Sequence, residues 1–315
     1  MGPVVSIIVP NYNHQQFLKQ RIDSIINQSY KDFEVIILDD CSNDDSKKII
    51  ENYRNHIKVS HIIYNLKNSG STFLQWQKGI NVARGKYIWI AESDDWCEYN
   101  FLETLIYPLL SDDRYVIGFS QTYMIINDNE IKWKSDFNKL ASDLTGIEFI
   151  NTYMLSGNKI CNASMAIFKK ATLKNITKDY LQFKFCGDWL FWIEIAKQGN
   201  VFISGKYLNY FRKHDNDVSS KFYNNSENYL EEIKLLKIFL QYHFINEIEY
   251  RSLVLEKYTK FKSSSFLIEE KKGKEIKDAF YFIKDKSLKY FLLKNYFFYT
   301  LRKKSKYLIK KLLKY

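Results

Sequence analysis

Two acidic clusters, each directly after a short apolar run, are the side chains of this sequence best placed to do chemistry. Residues 39–40 are Asp-Asp after the run 33–38, and residues 92–95 are Glu-Ser-Asp-Asp after the run 87–91. Runs of Val, Ile and aromatic residues bounded by polar ones predict buried strands. Carboxylates at the ends of such strands lie where open α/β sheets bind ligands. Acids this close repel one another unless a cation lies between them, so they predict a divalent metal beside a diphosphate.

The strands and helices that must position these acids alternate from residue 4 to about 130. The pattern predicts strands at 4–9, 33–38, 57–64 and 86–91. With helices between them, this βαβα order predicts a mainly parallel sheet that is covered by helices on both faces. Beyond it we expect strands at 115–127 and 163–168, a helix at 186–198 and helices from about 225 onward.

Composition restricts the class of protein. The 315 residues are 46% hydrophobic with 11 Gly and 3 Pro, which excludes disordered and collagen-like chains. The four cysteines show no paired spacing, which favours a reduced, cytosolic setting and argues against a zinc site. We find neither a signal-peptide pattern nor an uninterrupted apolar stretch of about 18 residues, so no membrane-spanning helix is expected.

The net charge of +11 lies entirely in the C-terminal part, because residues 221–315 hold 22 basic and 11 acidic residues and the first 220 hold 25 of each. Within 284–315, eleven basic residues and one acid alternate with apolar residues at three-, four- and seven-residue steps. This pattern predicts a helix that lies in an anionic membrane interface. A basic helix packed on the rest of the chain would look the same. Nucleic acid is not an expected partner, because no RNA- or DNA-binding motif accompanies the charge.

The first strand ends in Pro-Asn-Tyr-Asn at residues 10–13, without the glycine signatures of a Rossmann dinucleotide site or a P-loop. An aromatic ring there could stack on a base, and Asp40 one strand away could accept from a base N–H or a ribose hydroxyl. An ordinary turn would also contain these residues.

Six segments in order resemble the opening of a family 2 glycosyltransferase of the GT-A fold. They are VSIIVPNYN at 5–13, NQSY at 27–30, FEVIILDDCSND at 33–44, NSG at 68–70, ARGKYI at 83–88 and ESDD at 92–95. The similarity spans about residues 4–220. It implies sugar transfer from a nucleotide diphosphate donor, usually a UDP-sugar, by an α/β, Rossmann-like catalytic domain at 1–220. The donor half would be about 1–97, the acceptor half about 98–220, and 221–315 a basic, aromatic-rich helical extension.

The resemblance assigns the donor residues by position. Tyr12 and Asp40 match the residues that hold the base, and the neighbouring nucleotide-site positions are Pro10, Asn13 and Asp39.

Asp94 and Asp95 match the D-x-D region, which binds the nucleotide and Mn²⁺ or Mg²⁺, with the last acid on the metal that bridges the phosphates. Glu92 stands where the family usually has Asp, and its longer side chain could still reach ribose or a metal-bound water. An acidic helix cap is the alternative interpretation of these residues.

Asp188 matches the family position that supplies the catalytic base, within the segment 186–192. Inversion requires a carboxylate within hydrogen-bond reach of the acceptor hydroxyl. The start of a helix would keep Asp188 ionised, although it also suits a simple N-cap. Trp189 and Trp192 could pack on a sugar ring or in the core.

Residues 210–219 resemble the loop that closes over the diphosphate. His214 would complete the metal shell, and Arg212 or Lys213 would neutralise the leaving phosphate. A lone histidine in a polar loop is more often solvated. No role is predicted for the remaining histidines, His14, His56, His61 and His243.

Together these residues predict an inverting, metal-dependent hexosyl- or N-acetylhexosaminyltransferase at the cytoplasmic face of the membrane. It would extend a lipid-linked or polymeric surface glycan. A nucleotidylyltransferase would open with a Gly-rich, Arg-containing loop, which is absent here. A non-enzymatic basic binding module would not bind UDP with metal through its first 220 residues. Residues 100–185, including Asn158, Asn162 and Ser164, are expected to shape the acceptor pocket.

Overall fold

The computed structural model describes residues 2–126, 130–214, 218–264, 268–281 and 286–312, without the side chains of 218, 219 and 304–312. The chain divides into two compact units, Met1–Asp217 and Val218–Tyr315. The functional boundary expected at residue 220 and the donor and acceptor halves expected to meet at 97 stay predictions.

The first unit is an α/β structure. Its strands are β1 (Val5–Asn11), β2 (Phe33–Asp39), β3 (Val59–Tyr64), β4 (Tyr87–Ile90), β5 (Trp96–Cys97), β6 (Tyr115–Ile126), β7 (Glu130–Lys134), β8 (Ala141–Thr145), β9 (Ala166–Lys169) and β10 (Asn200–Arg212). Its helices are α1 (Gln15–Ile26), α2 (Ser46–Glu51), α3 (Thr72–Val82), α4 (Phe101–Ser111), α5 (Gly146–Phe149) and α6 (Gly187–Ala196).

One sheet contains all of these strands, in the order β3-β2-β1-β4-β9-β6-β10-β5, with β7 beside β6 and β8 beside β10. Strands β3, β2, β1 and β4 are parallel, as the βαβα pattern predicts. In the second half β6 and β10 are parallel, whereas β9 runs antiparallel to both β4 and β6. The predicted α/β class with a central sheet flanked by helices is confirmed.

The central strands are buried on both faces, which explains their nearly continuous apolar runs. On one face Ile7 and Trp89 pack with Leu18 and Ile22 of α1. On the other face Ile8 meets Gly79 of α3 so closely that a Cβ at Gly79 would lie 2.4 Å from the Ile8 side chain. Helices therefore cover both faces of the parallel half.

An ion pair between a buried carboxylate and an exposed arginine ties the parallel strands to the turn before β4. The Glu34 carboxylate of β2 accepts from the Ser6 hydroxyl of β1 at 2.7 Å and from the Arg84 backbone and guanidinium. Burial opposes ionisation of Glu34, yet the bonds from Arg84 and Ser6 lower its pKa to about 2. Ser6 also accepts from the Gly85 N–H at 2.8 Å, so this cluster fixes where β4 and the acids after it begin.

The second unit is helical, which confirms the C-terminal helices. It contains α7 (Val218–Asn224), α8 (Asn228–Gln241), α9 (Glu247–Ser264), α10 (Glu270–Tyr281) and α11 (Lys286–Leu312). Its core includes Leu236, Phe239, Val254, Tyr258, Phe261, Ile276, Phe280, Leu288 and Leu292. Among the described residues, no helix combines the length and apolarity that crossing a membrane requires.

We predict that Gly85→Ala destabilises the first unit by about 1–3 kcal/mol, the usual cost of overpacking a core. A Cβ at Gly85 would lie 2.5 Å from the Ser6 backbone nitrogen, which cannot move without displacing β1. Urea unfolding measures the change. Gly157→Ala is the matched control, because a Cβ there meets nothing within 4 Å. Equal unfolding midpoints for the two variants would contradict the role given to this contact.

Candidate active site

The parallel strands β2, β1 and β4 bring the two predicted acidic clusters to one edge of the sheet. Asn11 at the end of β1 is in register with Asp39 at the end of β2, and Ile8 pairs with Ile90 at the end of β4. The loops that follow these three strands therefore share the carboxyl edge, where open α/β sheets bind ligands.

Asp39 and Asn13 connect the first two of these loops. The buried Asp39 carboxylate accepts from the Asn11 side chain at 2.8 Å and from the Ser42 backbone at 2.9 Å. Asn13 has a φ of 56°, a conformation that Asn tolerates better than most residues, and its N–H donates to the Ser42 hydroxyl. Pro10 is a buried residue of β1. The nucleotide contacts of Pro10, Asn13 and Asp39 stay predictions. In the structure, the hydrogen bonds of Asp39 and Asn13 join the loops that follow β1 and β2.

Asp40 is buried, and its backbone N–H donates to the carbonyl of Asn11, the residue before the 45% accessible Tyr12. Its carboxylate accepts from Asn65 at 2.5 Å, from the Ser69 hydroxyl at 2.7 Å and from Gln75 of α3 at 2.9 Å. The sequence places an aromatic ring and a carboxylate at this edge, and the structure brings in the NSG loop and α3 as the supports of that carboxylate.

Asp95 is fully buried and turned into the protein. It accepts from Asn162 at 2.9 Å, from the Ser164 hydroxyl at 2.6 Å and from the Arg212 backbone N–H at 3.1 Å. Burial and the neighbouring charge of Asp94 raise the pKa of Asp95. Asn162 and Ser164, which are expected to shape the acceptor pocket, both hold this acid. That role and the metal binding of Asp95 stay predictions.

Glu92 is anchored to α3. Its carboxylate accepts from the Trp76 indole N–H at 2.7 Å and from the Thr72 hydroxyl at 3.4 Å, while its N–H donates to Ser164. Burial, followed by the charge of Asp94, raises the pKa of Glu92 to about 8. Contact of Glu92 with ribose or with a metal-bound water stays a prediction.

Asp94 faces two histidines. Its carboxylate lies 3.2 Å from Nε2 of His214, and the His14 and His214 rings are 5.4 Å apart, edge to face. One ligand atom from each of these three residues lies within 4.8 Å of the others. Burial opposes ionisation of Asp94, but His14 and His214 lower its pKa.

The three residues fit a divalent cation by their donor set of two imidazole nitrogens and a carboxylate oxygen. Imidazole is a softer ligand than the oxygens that Mg²⁺ prefers, which favours Mn²⁺ over Mg²⁺. His14 received no role from the sequence. The sequence feature that pointed to His14 is its position directly after the Pro-Asn-Tyr-Asn end of β1. In the structure, the start of α1 meets the loop after β4 at this point, where His14 contacts Ser93 at 2.8 Å.

Arg212 is buried and stacked between aromatic rings. Its guanidinium carbon lies 4.2 Å from the Phe17 ring centre and 4.5 Å from that of Trp96. It donates to the Asp94 backbone carbonyl and to Gln20 at 2.8 Å, so it fixes the acidic loop against α1.

Lys213 is half-buried, and its ammonium lies 5.2 Å from the Phe211 ring centre. The predicted contacts of Arg212 and Lys213 with the leaving phosphate stay predictions.

Asp188 lies half-buried in the first turn of α6. One carboxylate oxygen accepts from the Asn158 side chain at 2.8 Å and the other from the Trp189 N–H at 2.8 Å. Trp189 is buried and donates to the Met154 carbonyl, and Trp192 is fully buried against Phe168. Both tryptophans thus pack in the core, which was the alternative to packing on a sugar ring. Their contact with a sugar stays a prediction.

Arg21 is a second buried cation near the acids, and the sequence analysis missed it. Its side chain is fully buried in α1 with the guanidinium carbon 4.9 Å from the Trp89 ring centre, and its charge favours the ionised forms of Glu92 and Asp95. The sequence did indicate that Arg21 is buried, because a charged residue at position 21 falls on the apolar helix face that Leu18 and Ile25 define.

Comparison with protein families matches residues 6–177 to the model described as glycosyl transferase family 2. The chain belongs to that family. The match contains both acidic clusters, the NSG loop and the strands that support them.

Two curated bacterial relatives of this family 2 chain are similar over shorter stretches. Glycosyltransferase GlyG of Streptococcus pneumoniae is 33% identical over 120 residues, which are 37% of this chain and 38% of that protein. TuaG of Bacillus subtilis, assigned to teichuronic acid biosynthesis, is 34% identical over 93 residues, 30% of this chain and 36% of that protein. The chain thus matches well under half the length of both.

The fold of this family 2 chain is similar to that of TarS from Staphylococcus aureus. The crystal structure of TarS residues 1–349 with UDP-GlcNAc aligns with a TM-score of 0.68 at 21% identity, covering 89% of this chain and 80% of that one. The predicted GT-A fold is therefore confirmed.

We predict that Glu92→Gln removes a pH dependence from the stability of the metal-free protein. The pKa of Glu92 is about 8 in the folded chain and 4.5 ordinarily, so folding favours its protonated form. This contribution is complete below pH 4.5 and is lost as pH rises through 8. Urea unfolding with a chelator should show similar stabilities at pH 5, and at pH 8.5 the Gln variant should be more stable by on the order of 4 kcal/mol.

Gln keeps an acceptor for the Trp76 indole, so the comparison isolates ionisation. Glu130→Gln on the exposed strand β7 is the control and should leave the pH dependence unchanged. Parallel pH profiles for Glu92→Gln and the original chain would contradict the assignment.

Proposed function

We propose that this family 2 protein is an inverting glycosyltransferase that moves a sugar from a UDP-sugar to a hydroxyl of a glycan or lipid-linked acceptor in surface polysaccharide synthesis. The observation that carries the proposal is the place where the exposed ring of Tyr12 follows β1 and three cation ligands lie together: His14 after β1, Asp94 after the adjacent strand β4 and His214 after β10. Two relatives support the substrate class. TuaG is assigned to teichuronic acid biosynthesis, and the TarS structure contains UDP-GlcNAc.

The donor would bind across the ends of β1, β2 and β4. The exposed Tyr12 ring offers a face for uracil, and Asp40 offers a carboxylate that Asn65, Ser69 and Gln75 already hold in one orientation. A fixed acceptor loses little entropy when it receives a base N–H, which favours selective recognition.

His14, Asp94 and His214 would hold Mn²⁺ or Mg²⁺. When bound, such an ion supplies positive charge to the diphosphate oxygens. Asp95 would position the loop that carries Asp94, because its three hydrogen bonds come from distant segments of the unit.

Asp188 would act as general base. Asn158 and the Trp189 N–H engage one carboxylate oxygen each, which fixes the direction in which the remaining lone pairs point. Asp188 would take the proton of the acceptor hydroxyl while that oxygen forms a bond to C1 of the sugar. The bond from C1 to the phosphate oxygen breaks on the opposite face and UDP leaves. An α-linked donor would thus give a β-linked product.

We predict that Asp188→Asn and Asp94→Ala separate catalysis from donor binding. The original chain should bind UDP in a calorimetric titration with Mn²⁺ and lose that binding with a chelator. Asp188→Asn should keep UDP affinity within about twofold while UDP release from UDP-GlcNAc falls on the order of 100-fold or more, the usual effect of losing a general base.

Asp94→Ala is the matched control and should lose metal-dependent UDP binding. Parallel loss of affinity in Asp188→Asn would contradict its role as base. Absence of UDP binding by the original chain would contradict the donor assignment.

We further propose that α11 binds an anionic membrane at the cytoplasmic face. Leu288 and Leu292 are buried against the rest of the second unit. On the opposite side of the helix, accessible apolar side chains follow at three- and four-residue steps: Tyr290 (67%), Leu293 (44%), Phe297 (57%) and Leu301 (46%).

Lysines flank this stripe, among them the exposed Lys286, Lys289 and Lys294. An apolar stripe between lysines suits an interface of acyl chains and anionic headgroups.

We predict that Phe297→Ser with Leu301→Ser reduces binding to vesicles containing anionic phosphatidylglycerol at least tenfold in a sedimentation assay. Binding should also weaken with salt and be low on neutral phosphatidylcholine, because lysines attract the anionic surface. Ile248→Ser is the control, since Ile248 is 81% accessible on another helix of the unit, α9. Equal binding by the double variant would contradict the membrane role of α11.

A further inference from the structure

The second unit contains an open cavity of about 490 Å³ that the proposed transfer reaction does not use. The end of α7, the start of α8 and the last turns of α9 form its walls. Side chains that line it include Tyr223, Asn224, Asn228, Tyr229, Glu232 and Lys257. The lining is almost wholly polar or aromatic, in contrast to the apolar core of the same unit.

A buried ion pair forms part of this lining. The Lys257 ammonium lies 2.6 Å from the Glu232 carboxylate, and Asn228 donates to the same carboxylate at 3.2 Å. All three residues are more than nine-tenths buried, at 8%, 7% and 6% accessibility. Burying two opposite charges gains little stability over an apolar pair of the same size. Their presence in a cavity wall is therefore better explained by a ligand than by folding.

Two tyrosines supply flat surfaces in the same cavity. Tyr223 is 58% accessible at the end of α7. The Tyr229 hydroxyl lies 3.3 Å from that of Ser264, which also lines the cavity. Ser226 has a φ of 58°, and this left-handed turn brings the end of α7 and the start of α8 to the same cavity.

The chemistry of this lining suits a hydroxyl-rich ligand. A sugar hydroxyl both donates and accepts, so it pairs with a set that contains a carboxylate, an ammonium and amides. The C–H face of a sugar ring can pack on an accessible tyrosine ring, which is largely apolar. Because Glu232 balances Lys257, and Lys260 is paired with Glu256 at 2.6 Å, the cavity does not present the net positive charge that a phosphate site requires.

We propose that this cavity is a carbohydrate-binding site separate from the donor site, and that it takes a sugar unit of the acceptor glycan. Only the statement that the ligand belongs to the acceptor rests on the proposed function. Binding of a sugar to the cavity requires neither the donor nor the metal.

The test uses the 315-residue chain on an array of immobilised oligosaccharides that carry neutral, carboxylate-bearing or phosphate-bearing sugars. The original chain should bind at least one neutral or carboxylate-bearing class, and Tyr223→Ala and Asn224→Ala should each weaken that binding tenfold or more. Tyr107→Ala is the matched control, a tyrosine of similar accessibility (55%) on α4 of the first unit, and should bind as the original chain does. Replacing Glu232 and Lys257 together by Met should lose sugar binding without lowering the melting temperature.

Asp94→Ala separates this proposal from the proposed function, because it should lose UDP binding and keep array binding. Array binding that survives Tyr223→Ala, binding confined to phosphate-bearing sugars, or no binding at all would overturn the carbohydrate site. A melting temperature that falls in the double Met variant would show that the ion pair is structural and would overturn the argument from its burial.

Discussion

Asp95 has no access to solvent, yet its carboxylate is next to Asp94 and three residues from Glu92 in the chain. Two like charges about 4 Å apart repel by roughly 4 kcal/mol at the effective dielectric near a protein surface. The loop between β4 and β5 that carries these acids contains no basic residue to offset that cost. Partial compensation comes instead from other segments: hydrogen bonds reach Asp95 from Asn162 and Ser164, and the charge of Arg21 in α1 favours ionisation. Burial and the charge of Asp94 outweigh these contacts, so the pKa of Asp95 is still raised.

This requirement joins the two predicted halves of the first unit. The acids lie within residues 1–97, the predicted donor half, whereas Asn162, Ser164 and Arg212 lie within the predicted acceptor half. Strand β10 must therefore run parallel to β6 as far as Arg212 before the acidic loop is complete. Arg212 also stacks on Phe17 of α1, so a single side chain links the first helix, the acidic loop and the last strand. A donor half ending at residue 97 would leave Asp95 buried without its partners.

The sequence predicts those parts of the fold in which neighbouring residues all favour the same element. Strands β1, β2 and β4 were predicted because each is a short run of apolar, mostly β-branched or aromatic residues bounded by polar ones, and acids follow β2 and β4. Strand β10 was not predicted, because Asn209 and Arg212 interrupt its apolar pattern to make contacts inside the protein. The partners of Asp95 and Asp188 lie 67 and 30 residues away in the chain, and no spacing rule connects them. Arg21 could have been noticed, since it breaks the apolar face of α1.

Glu92 shows how a departure from a family pattern can follow from packing. Its carboxylate accepts from the indole N–H of Trp76, a side chain that is 2% accessible in α3. A buried indole N–H without an acceptor is costly, so the residue at position 92 must reach α3. Asp is one methylene shorter and would not extend as far from the strand end. The longer acid is therefore explained by the helix it holds, and α3 also carries Gln75, which supports Asp40 at the other end of the site. Helix α3 therefore holds both Glu92, which departs from the family pattern, and Asp40, which would accept a hydrogen bond from the base.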